Sequence, residues 1–148
     1  MSKKVLVPLA PGFEEIEAVT SIDVLRRAGI EVVTVSLNSI DVKGAHNMPG
    51  IADKRIKQIK IEEFDGILLP GGMPGAQNLK ENSQILKFVR QINENKLMVA
   101  AICAAPMVLE TAGILENINA TSYPSFKKEV PSCNYKAERV VKDGNIIT

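Results

Sequence analysis

Short apolar runs alternate with helix-period segments along most of this chain, and that alternation restricts the folds open to it. Lys4-Val5-Leu6-Val7-Pro8-Leu9 is an apolar run stopped by Pro11-Gly12, the pattern of a buried strand and its turn. From Glu14 to Arg27 the period changes. Ala18, Val19, Ile22 and Leu25 fall on one helical stripe, Arg26 and Arg27 suit the negative end of the helix dipole, and Gly29 supplies a stop. Glu31 to Leu37 is Val-rich and reads as a second strand. Gly66-Ile67-Leu68-Leu69 and Leu97 to Ile102 read as further buried strands. Between them Leu86, Val89 and Ile92 sit at helical spacing within Ser83 to Asn95. Pro106 fits the first turn of a helix running to about Thr111 and closed by Gly113. Short strands are expected at Asn119–Thr121, Val140–Val141 and Ile146–Thr148.

Residues 39 to 60 interrupt the alternation. Gly44, Asn47, Pro49 and Gly50 punctuate them, which predicts an irregular hairpin or excursion. Lys54, Arg55, Lys57 and Lys60 interleave there with Ile56 and Ile59, as on a solvated face. Strands alternating with helices imply a mostly parallel sheet covered on both faces, so the expected class is α/β, doubly wound.

Composition removes several functions. The 148 residues, 45% of them hydrophobic, are enough for one domain with a core that needs no staples. Eighteen basic residues against seventeen acidic, with 4% aromatics, give nucleic acid neither an electrostatic footprint nor stacking platforms. The longest apolar run, Leu97 to Leu109, contains Pro106 and falls short of the ~20 residues that span a bilayer. Cys103 and Cys133 make a poor disulfide framework, and no secretory apolar region follows Met1-Ser2-Lys3-Lys4. A soluble, cytoplasmic, single-domain protein spanning residues 1–148 is the expectation.

In open parallel sheets, ligands bind beyond the carboxyl ends of the strands. Three such ends carry unusual residues here. The first strand leads into Glu14-Glu15-Ile16-Glu17, the strand at 66–69 into Pro70-Gly71-Gly72-Met73-Pro74-Gly75, and the strand at 97–102 into Cys103-Ala104-Ala105-Pro106. A cysteine on a direct strand-to-helix turn meets free amides and positive potential, which favour its thiolate; the bland alternative is a small buried hydrophobe. Acids in a first helical turn stabilise the dipole whatever their function, and that suffices for Glu14 and Glu15. Glu17 lies close to the stripe of Ala18 and Ile22, so it is expected to point inward, where desolvation favours a protonated acid able to serve a thiolate. Gly71-Gly72 lets backbone amides approach a ligand or developing oxyanion, or is a plain turn. His46 reads as a surface loop residue, and one His with two distant Cys makes no metal site by spacing. No P-loop, HExxH or GxSxG occurs, and the acids after Gly12 argue against a bound phosphate.

Several of these segments together resemble the DJ-1/ThiJ/PfpI superfamily, closest to its DJ-1 branch. They are the Glu-Glu-Ile-Glu helix start, Asp23-Val24-Leu25-Arg26-Arg27-Ala28-Gly29-Ile30, Leu69-Pro70-Gly71-Gly72, Gly75-Ala76-Gln77-Asn78-Leu79, Ala100-Ala101-Ile102-Cys103-Ala104 and Arg139-Val140-Val141-Lys142-Asp143-Gly144. The resemblance implies a flavodoxin-like α/β sandwich, usually a homodimer, with no cofactor and no metal. It implies Cys103 as a reactive cysteine on a strained elbow and Glu17 as the protonated acid beside it. Gly71, Gly72 and Ala104 would line the substrate or oxyanion pocket. The activities implied are a glyoxalase or deglycase acting on methylglyoxal or early glycation adducts. The alternative is a redox sensor or redox-regulated chaperone based on reversible Cys103 oxidation.

The chain departs from the family pattern in three places. Tyr123 stands before Pro124 where the family often has His, so a His-assisted mechanism is not expected. Ala104 follows the cysteine where peptidase-type members carry His, which weighs against proteolysis. Thr148 falls where relatives continue into a turn and a long helix packed on the sheet, so one sheet face is expected to be partly bare, with apolar surface inviting association.

Overall fold

The computed structural model describes residues 3–148; Met1 and Ser2, where the reading of an absent leader begins, lie outside them. In chain order the strands are β1 (Lys4–Leu9), β2 (Glu31–Ser36), β3 (Asp41–Lys43), β4 (Pro49–Ile51), β5 (Lys54–Arg55), β6 (Gly66–Leu69), β7 (Met98–Ala101), β8 (Asn119–Ala120), β9 (Asn134–Tyr135), β10 (Lys142–Asp143) and β11 (Ile146–Ile147). The α-helices are α1 (Glu15–Arg27), α2 (Gly75–Lys80), α3 (Ser83–Glu94) and α4 (Pro106–Ala112). Among the described residues the main sheet has seven strands in the order β10-β11-β7-β6-β1-β2-β5. Neighbours run parallel except for the β10–β11 hairpin. This is the α/β, doubly wound arrangement that the alternation requires.

The two-residue period of the strands divides their side chains between two cores. Leu6, Val33, Val35, Ile67, Leu69, Val99 and Ala101 face α3, α4 and their connections, while Val5, Val7, Leu9 and Val32 face α1. α3 binds the first core with Ile85, Phe88, Val89 and Ile92, spaced along one stripe. Its start is fixed by Asn82, whose side chain accepts the amides of Gln84 and Ile85 at 3.1 and 3.0 Å. α4 starts at Pro106 and ends where Gly113 turns to φ +77°.

The second face is partly uncovered, as expected, although α1 itself buries less than its stripe suggests. α1 buries only Glu15 and Ala18, and Val19, expected on its inner stripe, is 58% exposed. Beside Ser21 of α1, Leu68, Ala100, Ile102 and Ile147 line an open apolar depression. The bare face therefore lies over β6, β7 and β11.

Other differences are local. Residues 39–60 form the β3–β4 hairpin, β5 and a 3-10 turn, and Lys54, Arg55, Lys57 and Lys60 are all exposed. α2 follows directly on the glycine loop at 71–75, where the sequence shows mainly turn formers. β10 lies two residues after the expected Val140–Val141; Val141 still exchanges hydrogen bonds with Thr148 at 2.8 and 2.9 Å, but Val140 is 66% exposed.

The hairpin is tied to the start of α1 by Glu15. Its carboxylate, 7% exposed, accepts the His46 amide at 2.7 Å and the Met48 amide at 3.4 Å, and meets His46 Nδ1 at 3.0 Å. Burial works against its ionisation, but the bonds from the His46 ring and the hairpin amides prevail and hold Glu15 at about 2. The same bond to Glu15, with the charges of Glu14 and Glu15, raises His46.

Two outcomes follow from this packing. Ile67 is fully buried on a central strand, so Ile67→Ala should cost about 2–5 kcal/mol in chemical denaturation. Glu15's contribution is complete above its ordinary value of 4.5 and is lost as the pH falls toward 2; His46's is complete below 6.5 and is lost as the pH rises through its elevated value. The thermal-midpoint deficit of His46→Ala should therefore peak between pH 4.5 and 6.5 and shrink on either side.

Candidate active site

The sheet grows from β1 toward β2 on one side and toward β6 on the other, so the crossovers diverge between β1 and β6. Diverging crossovers leave a crevice at the carboxyl ends of those strands. The three unusual segments meet there. Glu17 enters from the first turn of α1, Gly71 and Gly72 from the end of β6, and Cys103 from the end of β7.

Glu17 Oε2 accepts the Gly71 N–H at 2.8 Å, and the same carboxyl is hydrogen-bonded to the Cys103 thiol. No residue other than glycine fits at 71. A Cβ there would stand 2.5 Å from Glu17 Oε2 and 2.8 Å from Cys103 Cβ. The role of Gly71 differs from the one expected: its N–H orients the acid, and its carbonyl accepts the Glu14 amide at 2.9 Å. The amides offered to the sulfur are those of Gly72 and Ala104. Gly72 is held at φ +89°, where a side chain would strike the Glu14 amide.

Cys103 itself has φ +61°, a left-handed conformation that costs a non-glycine residue roughly 1–3 kcal/mol. The surroundings impose it. The Cys103 carbonyl accepts the Tyr123 amide at 2.8 Å, and Ala105 N–H returns to the Ile102 carbonyl at 2.9 Å. Ala104 and Ala105, at 1% and 0% exposure, leave the turn no freedom on its inner side.

The expectation of a thiolate stabilised by a helix N-terminus is corrected on two counts. α4 begins at Pro106, so a turn separates Cys103 from the helix. Burial, and then the hydrogen bond and charge of the Glu17 carboxylate, push the Cys103 thiol up to about 11, against the pull of the Ala104 and Gly72 amides. The thiol of Cys103 therefore holds its proton more tightly than an ordinary cysteine does.

Cys103 opens into a cavity of about 620 Å3. Tyr123 and Pro124 stand at its edge, in the segment where a family His was sought. Lys127, Tyr135 and Arg139 line it too; Arg139 heads one of the family-like segments, while Lys127 and Tyr135 were not singled out in the sequence. They come from separate short elements with no periodicity to mark them, and only the fold brings them into one cavity with the thiol.

The remaining candidates lie elsewhere. Cys133 is unpaired, and its sulfur contacts the Val130 carbonyl at 3.2 Å outside this cavity. His46 is on the hairpin. Glu14, Glu15 and His46 each bring one ligand atom within 4.8 Å of the others, a set that spacing alone did not reveal. The Glu15 oxygens there are already engaged by the hairpin amides and the His46 ring, so the cluster works as a structural tie. No described helix is long and apolar enough to cross a membrane.

This geometry has close counterparts. The DJ-1/PfpI family profile matches residues 3–148. Protein dj-1beta of Drosophila melanogaster is 42% identical over 151 residues, taking in 100% of this chain and 81% of that protein. The crystal structure of Drosophila melanogaster DJ-1beta superposes with a TM-score of 0.96 at 41% identity, over 100% of this chain and 81% of that one. Protein DJ-1 homolog B of Arabidopsis thaliana is 41% identical over 150 residues, or 99% of this chain and 34% of that protein. The structure described as Toxoplasma gondii DJ-1, oxidized, gives a TM-score of 0.93 at 38% identity, covering 99% of this chain and 81% of its own. With the profile matched over residues 3–148 and relatives of this identity and coverage, this chain belongs to the DJ-1/PfpI family.

Proposed function

We propose that this chain is a cysteine-dependent, cofactor-free enzyme of the reducing cytoplasm that acts on reactive aldehydes, with methylglyoxal or early glycation adducts as substrates. The observation that carries the reading is the contact between the Glu17 carboxyl and the Cys103 thiol, on its left-handed elbow, where both line an open cavity. An acid–base pair of this kind activates a nucleophile at the moment of attack. As the Cys103 sulfur bonds to the aldehyde carbon, its proton passes to Glu17 and from there to the new alkoxide, giving a hemithioacetal. Glu17 then takes the hydrogen from that carbon, and the enediol collapses as the proton is returned to the neighbouring carbon. A thioester of lactate remains, and water releases lactate and restores the thiol. The Gly72 and Ala104 amides suit the negative charge that develops beside the sulfur.

A second reading is supported by the oxidized form of the Toxoplasma relative. In it, Cys103 is a redox sensor whose sulfenate or sulfinate is held by the same amides and Glu17, and the protein protects other chains as a regulated chaperone. Under either reading the protein is a homodimer. α1 and β4 border a groove in which Val19 and Ile51 are exposed, with Ile16 75% exposed nearby on α1, and a second copy would cover this surface.

Two measurements test the enzymatic reading. Cys103→Ala and Glu17→Gln should each lower methylglyoxal consumption and lactate formation by about 100-fold or more. Wild-type protein without turnover that still protects a client after mild peroxide treatment would favour the sensor. Glu17→Gln should also move the alkylation midpoint of Cys103 down from about 11 by at least one pH unit, because the carboxylate that raises it is gone, while Cys133 stays in place. A more acidic thiol with less turnover is the mark of proton transfer by Glu17. A wild-type midpoint near neutrality would overturn the raised proton affinity of Cys103.

A further inference from the structure

The elbow has a small apolar cluster of its own. Ala76, Ala104 and Met107 are buried together, apart from the two cores on either side of the sheet, and Cys103 and Phe126 pack against them. Three segments meet there: α2 behind the glycine loop, the elbow with the start of α4, and the 3-10 turn Pro124–Glu129 that carries Phe126. Backbone bonds join the cluster to the site. The Ala76 amide donates to the Gly72 carbonyl, and the Phe126 amide to the Tyr123 carbonyl, both at 2.8 Å. The Tyr123 amide in turn holds the Cys103 carbonyl, so the turn that carries Phe126 is joined to the bond that fixes the elbow.

Phe126 is the anchor of its turn. It is partly buried, and every other residue from Pro124 to Glu129 is exposed. The other side-chain tethers of the turn face solvent: Lys80 Nζ meets Glu129 at 3.4 Å, and Lys127 Nζ stands 5.1 Å from the centre of the Tyr135 ring. Contacts of that kind stabilise little in water. The Phe126 ring is also the largest side chain in a cluster otherwise built of two alanines, a methionine and the cysteine, so its loss leaves a void that the small neighbours cannot fill. Neither Phe126 nor Ala76, Ala104 and Met107 line the cavity over the thiol.

We infer that Phe126 is a positioning residue for Cys103: packed on the Ala76–Ala104–Met107 cluster, it holds the turn that grips the elbow and keeps water from the thiol on the side away from the cavity. The inference rests on Cys103 being the reacting group, and it is independent of which substrate that group meets.

The test alkylates Cys103 of the full chain with iodoacetamide across a pH series, read by peptide mass spectrometry with Cys133 as the internal reference. Burial is the largest cause of the raised proton affinity of Cys103, so water reaching the thiol works downward. In Phe126→Ala the Cys103 midpoint should fall by about one pH unit from its wild-type value, with Cys133 unmoved. Phe126→Leu, which keeps an apolar side chain on the cluster, should restore most of that shift. An unmoved midpoint in Phe126→Ala, a shift that Cys133 shares, or one that Phe126→Leu fails to reverse overturns the inference. Should Phe126→Ala fail to fold, Phe126→Val takes its place with amide exchange as the readout: the Tyr123 N–H, bonded to the Cys103 carbonyl, should exchange about tenfold faster than in the wild type. An unchanged rate there overturns the inference as well. The midpoint shift without methylglyoxal turnover by the wild type would sink the enzymatic reading and leave this inference standing; turnover with no shift in Phe126→Ala would do the reverse.

Discussion

The hydrogen bond from the Gly71 amide to Glu17, 2.8 Å long, is the contact on which the site depends. It joins the first turn of α1 to the end of β6, and so fixes a side chain from one crossover against the backbone of the next strand in the sheet. Because a glycine makes the bond, the carboxyl lies against Cys103 without a side chain between them. The acid, the thiol and the Gly72 amide are thereby held in one arrangement by three separate strand ends. Most of the rest of the fold serves to keep those ends in register.

The electrostatics of the site follow from this closeness. A carboxylate beside a half-buried thiol keeps the proton on sulfur, and the amides of Gly72 and Ala104 work in the other direction. The pull of those amides does not outweigh burial and the carboxylate, so the thiol stays high. Any change at Glu17, Gly71 or the elbow alters this balance together with the geometry. The Glu15–His46 tie extends the same dependence outward. It fixes the hairpin to the helix turn that carries Glu17, although residues 15 and 46 are far apart in sequence.

Much of this was legible in the amino-acid sequence, and for identifiable reasons. β1, β2, β6 and β7 are apolar runs bounded by Pro and Gly, and α3 carries a regular stripe with an Asn cap, so period and punctuation agree there. The convergence of Glu17, Gly71, Gly72 and Cys103 followed from placing each after a parallel strand. What stayed hidden was set by packing at a distance. Val19 has the spacing of a core residue, but whether it is buried depends on what lies over α1. α2 begins in a glycine-rich loop whose local preference is for turns. The high proton affinity of Cys103 comes from its burial and then from the carboxyl that the fold sets beside it, whereas sequence position pointed to a helix end that begins three residues later. Nothing in the sequence places Lys127 and Arg139 in the lining of the cavity that holds the thiol.

The uneven cover of the sheet gives the elbow two unlike sides. On the side of α4, Ala104 and Ala105 are clamped in the core, while Ile102 on the other side is 44% exposed over the bare part of the sheet. The elbow is therefore packed on one side and open on the other. Ile102 and Thr148 line both the apolar depression on that open face and the cavity over Cys103, so a group laid against the face meets residues that a molecule in the cavity also touches.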